Sequence, residues 1–200
     1  MKNNRSGQAE ILSDGEILRI YKALISPSHK LFFNIARYTG ERFGAICQLQ
    51  VCDVFVCLEN SGLREVKEEI TFRAATRKKS GGDRSTRQLP VADKLAEYLN
   101  SYRGEMGEVW LFESKIKPGQ CITWSSADKW FRAAVDRAGL SHRGISGHSL
   151  RRTFITGLYR SGVDLKLLQQ ITGHKDIKSL MLYIGVDKAD VRKALNNGLG

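Results

Sequence analysis

Apolar positions recur at helical spacing through the first fifty residues. Ser13-Asp14-Gly15-Glu16 has the form of a helix start, and Ile17, Ile20, Tyr21 and Leu24 follow on one face. A second helix is predicted over 27–38, stopped by Gly40, and a third after Arg42 that carries Ile46 and Leu49. The period then changes. Residues 51–58 and 66–73 alternate or carry β-branched side chains, with Asn60-Ser61-Gly62 between them as a turn. Ser80-Gly81-Gly82-Asp83 marks a second turn, after which Arg87-Gln88-Leu89-Pro90-Val91 reads as a third strand. From Asp93 the pattern is helical again, broken by Gly104, Gly107 and Pro118-Gly119, with helices expected over 125–138, 149–160, 164–171 and 177–183. The expectation is an α+β fold that is mainly α: a helical bundle with one small three-stranded antiparallel sheet. Residues 1–10 read as a polar, flexible tail, and neither a repeat nor a linker divides the remainder.

Length and composition narrow this only slightly. Two hundred residues with 42% hydrophobic content suffice for one buried core. No apolar run approaches the ~18 residues of a membrane span, and Met1-Lys2-Asn3-Asn4-Arg5 leads into no signal-peptide core. Cysteines 47, 52, 57 and 121 form no Cys-x-x-Cys pair and have no histidine at ligand spacing. That argues against zinc and for reduced, structural thiols in a cytosolic protein. Charge changes the picture more. Lys and Arg number 32 against 21 Asp and Glu, a net +11. The excess is spread, 16 basic against 12 acidic residues in 1–100 and 16 against 9 in 101–200. A distributed positive field suits a polyanion, because neutralised phosphates release counterions. Charge alone does not separate DNA from RNA or an anionic membrane.

A few side chains carry specific chemistry. Breaking a phosphodiester with a protein nucleophile requires a clamp on a phosphate that gains negative charge. Arginine suits this, with a planar fork and a proton it does not lose. Arg42 follows Thr39-Gly40-Glu41 at a helix start, where backbone N–H groups also favour an anion. His148 and Arg151 are three apart and project to the same side of a helix, with Leu150, Phe154 and Leu158 left to bury the other face. In the stretch from Ser161 to His174, Asp164 can cap a helix and Gly173 can end it, holding His174 at a tight turn. Tyr183 follows within the short helix begun by Asp176. Helix, glycine turn and helix in a basic chain also fit a helix-turn-helix DNA reader. A plain reader, however, needs neither this tyrosine nor His148 and Arg151 before it.

Taken in order, Arg42, His148-Ser149-Leu150-Arg151, Gly173-His174 and Tyr183 resemble the catalytic domain of tyrosine recombinases of the phage-integrase type, over residues 11–187. The resemblance implies a site-specific recombinase or integrase that cuts and rejoins double-stranded DNA through a 3′-phosphotyrosine, with no metal and no other cofactor. Tyr183 would be the nucleophile, Arg42 and Arg151 the phosphate clamp, His148 an acid/base imidazole, and His174 a donor to a non-bridging oxygen. A tyrosine is a poor nucleophile at neutral pH, with an ordinary pKa of roughly 10, and neighbouring guanidiniums ease its proton loss. The leaving 5′-oxygen needs a proton, which the family draws from a lysine on the β-hairpin turn. Lys79-Ser80-Gly81 matches that turn and makes Lys79 the general acid, with Lys78 the alternative. Arg73, Arg77, Lys78, Arg84, Arg87 and Arg152 are then DNA-backbone contacts. Family members act as four protomers around two duplexes, which implies a homo-tetramer on DNA and allows a monomer without it. Residues 188–200 form a C-terminal tail available for exchange between protomers, and the setting implied is the cytoplasm and nucleoid of a prokaryote, in a plasmid or phage context. Two departures stand out. The family's carboxylate three residues after the first arginine is here Ala45, and the usual N-terminal DNA-binding domain is missing from this sequence. The chain reads either as an excised fragment or as a short recombinase, similar in length to the fimbrial phase-variation inverters. A topoisomerase-like relaxation, a catalytically inactive DNA-binding relative and a helix-turn-helix regulator are the alternative readings.

Overall fold

A computed structural model describes residues 9–57, 64–74 and 86–184, with Arg192, Leu195 and Asn196 beyond them. Its first helix, α1 (Asp14–Ala23), opens on a reciprocal cap: the Ser13 hydroxyl accepts the Glu16 N–H at 3.3 Å and the Glu16 carboxylate accepts the Ser13 N–H at 2.9 Å. α2 (Pro27–Thr39) starts on a proline, whose missing N–H costs nothing in the first turn, and ends at Gly40 in the left-handed region, φ +61°. α3 (Phe43–Cys47) follows directly. The core these helices enclose is aromatic. Phe32 meets Phe43, Phe112 and Trp130 edge-on with ring centroids 5.0–5.2 Å apart, and Phe131 meets Phe43 in the same way at 5.3 Å. Each fully buried ring of this kind stabilises by about 1.5–3 kcal/mol, before any gain from ring geometry.

The strands depart from the expected single sheet. β1 (Phe55–Cys57) pairs antiparallel with β2 (Arg64–Val66), and β3 (Glu69–Phe72) pairs antiparallel with β4 (Arg87–Pro90), as two separate two-stranded sheets. The predicted strand over 66–73 is broken at Lys67-Glu68, where the backbone changes partner. The Lys67 N–H goes to the Val54 carbonyl, whereas the Glu68 carbonyl accepts from Val91.

α4 (Asp93–Asn100) is followed not by broken helix but by an irregular stretch over 101–123, pinned by isolated bridges between Gln50 and Trp110 and between Glu113 and Cys121. α5 (Trp124–Arg137), capped by Thr123, packs on α1 and α3. α6 (Gly147–Arg160) crosses α2, and α7 (Leu165–Thr172) and α8 (Ile177–Met181) follow it. Ile155, Leu168, Leu180 and Ile184 form a second apolar cluster that ties these last three helices together. Tyr183 lies two residues past the end of α8 rather than within it, in a turn whose N–H bonds the Leu180 carbonyl at 2.9 Å. Among the described residues no helix is long and apolar enough to cross a membrane.

Candidate active site

Two glycine turns assemble the site. At Gly40 a Cβ would stand 2.3 Å from the ring of Phe154, so α2 and α6 approach closely only because that side chain is absent. The turn sends the Gly40 carbonyl toward α6. At Gly173, φ +63°, α7 ends and the chain reverses to bring His174 inward.

Arg151 joins the two turns. Only 1% exposed, it donates through Nη1 to the Gly40 carbonyl at 2.7 Å and through Nη2 to the Thr172 carbonyl at 3.0 Å. Nη2 also lies 3.2 Å from Nε2 of His174. The guanidinium carbon sits 5.8 Å from the centroid of the Tyr183 ring, and the His174 and Tyr183 rings are 5.3 Å apart. Thr156 on α6 donates to the Tyr183 carbonyl at 3.1 Å and so fixes the backbone that carries the phenol.

The partners of His174 set its tautomer. The Thr172 hydroxyl donates to the Leu168 carbonyl at 2.7 Å, so it accepts from Nδ1–H of His174 at 2.6 Å. Nε2 then presents a lone pair to Arg151. Burial, followed by the charges of Arg151 and Arg42, lowers the imidazole pKa to about 3, which fits a neutral ring. Burial and then the Arg42 charge bring Arg151 down to about 10, with Glu41 opposing them.

Arg42 is half-buried at the N-cap of α3, and among the described residues no hydrogen bond or ion pair engages its guanidinium. His148 is exposed on the first turn of α6, three residues before Arg151. The structure thus brings Arg42, Arg151, His174 and Tyr183 into one site, from four separate segments. Lys79, Lys78, Arg77 and Arg84 lie outside the described residues. The other basic candidates have protein partners. Arg73 pairs with Asp53 at 2.8 Å, and Arg152 donates to the Ala9 carbonyl at 2.9 Å. Arg87 departs furthest from a solvated run: it is 8% exposed, covers the ring of Phe72, and bonds Glu41 and the Ile171 carbonyl.

Two residues of the site carried no mark in the sequence. Thr172 sets the His174 tautomer from two positions away, a spacing that any Thr-Gly-His would share. Glu41 looked like one more polar turn residue, yet it is 2% exposed. Ala45, by contrast, is packed in the apolar core. Cys47 is also buried, and burial pushes its thiol up to about 12, so it has no nucleophilic character. No cluster of three or more metal-ligating side chains occurs among the described residues.

Residues 10–190 match the phage integrase family. The chain is 25% identical over 170 residues to a tyrosine recombinase of Thermosipho africanus, covering 83% of this chain and 53% of that protein. It is 28% identical over 170 residues to a tyrosine recombinase of Pseudothermotoga lettingae, covering 83% and 52%. The chain therefore spans about half the length of the curated relatives it matches. In fold it is similar to the crystal structure of XerA recombinase, with a TM-score of 0.73 at 23% identity over 98% of this chain and 67% of that one. It is similar also to a lambda integrase (75-356) dimer bound to a COC′ core site, with a TM-score of 0.65 at 21% identity over 91% and 62%.

Proposed function

This chain belongs to the phage integrase family, and on that footing we propose that it cuts and rejoins double-stranded DNA as a site-specific tyrosine recombinase. The observation that carries the reading is the gathering of Arg151 and His174 at the ring of Tyr183, with the charge of Arg42 acting on both. A phenol beside one guanidinium, with the charge of a second acting on the same site, suits attack on a phosphate and stabilisation of the charge that develops on it.

In the reaction, the Tyr183 oxygen forms a bond to phosphorus as the bond to the 5′-oxygen breaks. The phenolic proton leaves, and the 5′-oxygen takes up a proton, in this reading from Lys79. One phosphoester replaces another, so the 5′-hydroxyl can reverse the step without a nucleotide. Arg42 and Arg151 hold the non-bridging oxygens. His174 accepts from Arg151 in the free protein, so it donates to phosphate only after gaining a proton, which the negative charge of the bound phosphate favours. His148, exposed on the first turn of α6, is in this reading the acid/base imidazole that takes up the phenolic proton. The substrate puts the reaction in the cytoplasm beside the nucleoid, and synapsis of two duplexes would take four protomers.

The test uses supercoiled plasmid carrying the DNA that flanks the chain's own gene, incubated with full-length protein in EDTA and quenched with SDS. Protein-linked DNA is expected with the wild type and is absent with Tyr183→Phe, which still binds DNA. Adducts that persist in Tyr183→Phe would remove this tyrosine from the role.

A further inference from the structure

Among the described residues the fold buries two carboxylates, Asp53 and Glu41. Asp53 pairs outward with Arg73, whereas Glu41 lies inside the site. A buried carboxylate costs several kcal/mol in desolvation unless cations and hydrogen bonds answer it, so its place needs a physical reason. Glu41 Oε1 accepts the backbone N–H of Arg42 at 2.8 Å and lies 3.8 Å from Nη1 of Arg151, while Oε2 accepts from Arg87. Burial alone would raise its pKa; Arg87, then Arg151 and the Arg42 N–H, outweigh that and leave it lowered and charged.

The connections form two parallel straps. Arg151 joins the carbonyl of Gly40 to that of Thr172, and the Glu41–Arg87 pair joins the neighbouring position to the carbonyl of Ile171. Both run from the turn that carries Arg42 to the end of α7 that carries His174. We infer that Glu41 is a positioning residue of the strand-transfer site: from beside Arg42 it fixes the spacing of the Arg42 and Arg151 guanidiniums against His174, without touching a reacting atom. The inference rests on the recombinase reading above. Glu41 also leaves the three arginines with two unbalanced positive charges rather than three, which limits their mutual repulsion in a dry site. Ala45, packed in the core one turn along, offers no carboxylate that could share the task.

The experiment compares the full-length wild type with Glu41→Gln, Glu41→Asp and Tyr183→Phe. Three quantities are read: the melting temperature and, well below the lowest of these, affinity for a fluorescent duplex and single-turnover adduct formation on the plasmid described above. Glu41→Gln keeps hydrogen-bonding atoms but removes the charge. It is expected to bind the duplex at least as tightly as wild type while adduct formation falls roughly 10²-fold, the scale of a misplaced clamp. Glu41→Asp keeps the charge on a shorter arm and falls in between; if the glutamine variant does not fold, the aspartate variant carries the same comparison. Opposite movement of binding and cleavage is the signature that a merely structural carboxylate does not give. Adduct formation at the wild-type rate, or binding and cleavage lost in equal proportion, overturns the inference while leaving the recombinase reading intact. A wild type that forms no Tyr183-dependent adduct overturns both.

Discussion

Replacing Arg151 by lysine keeps the charge and removes the fork. The guanidinium reaches the Gly40 and Thr172 carbonyls and His174 Nε2 at 2.7, 3.0 and 3.2 Å, from two different nitrogens. A lysine ammonium is a point donor at the end of a flexible stem and satisfies one of these acceptors, leaving two buried groups unanswered. Charge-assisted bonds contribute about 1.5–3 kcal/mol each, which places the gross loss at about 3–6 kcal/mol. Part of that is offset, because Nε of Arg151 is buried without a partner and its cost disappears in the lysine variant. The lower end, about 3 kcal/mol, lowers the melting temperature by roughly 6–12 °C for a domain of this size. Cleavage suffers more than stability, since the planar grip on the phosphate goes as well; a loss of roughly 10²–10³-fold in single-turnover adduct formation is expected, with non-specific duplex binding nearly unchanged. Thermal melts and SDS-trapped adducts measured on the same preparations decide it. A variant that melts within about 1 °C of wild type would refute the strap. Equal losses of cleavage and binding would demote Arg151 to a backbone contact.

Other consequences follow from the same geometry. Thr172→Val removes the acceptor of Nδ1–H at nearly constant volume while Nε2 still accepts from Arg151, so Nδ1–H is left buried and unpaired at a cost of about 1–3 kcal/mol; a variant as stable as wild type in urea unfolding would contradict this. The folded His174 value, about 3, lies below the ordinary 6.5, so its contribution to stability is complete above pH 6.5 and is lost as pH falls from there toward 3. Glu41, also lowered, adds loss in the same acid direction. Urea unfolding between pH 7 and pH 4 should therefore be less pH-dependent in His174→Gln, and identical slopes in the two proteins would count against a buried neutral imidazole. Gly40→Ala brings a Cβ to 2.3 Å from the Phe154 ring at a positive φ, and should cost at least about 2 kcal/mol together with most of the cleavage activity. A fully active Gly40→Ala would mean that the close crossing of α2 and α6 is not what sets the Arg151 partners.

Local pattern was enough for most of the helices and their punctuation, though not for residues 101–123, where it predicted broken helix. The Ser13–Glu16 cap, Gly40 after α2, the Asp164 cap and Gly173 after α7 all appear where the residue chemistry puts them, because each depends on neighbours within four positions. The order Arg42, Arg151, His174, Tyr183 was equally legible as a motif; the last three side chains lie together, and the Arg42 charge acts on Arg151 and His174. The division of the strands into two sheets was decided by a backbone switch at Lys67-Glu68 that alternation does not encode. The interior of the site was decided by tertiary contacts alone. Arg87 read as one member of an exposed basic run, and Glu41 as a turn residue. Their pairing spans 46 positions, the bond from Arg87 to Ile171 spans 84, and that from Arg151 to Gly40 spans 111. Whether an arginine grips solvent phosphate or buries itself against a carboxylate depends on which surfaces pack over it. That is set by α2 crossing α6 and by α7 packing on α6, not by the residues beside it in the chain.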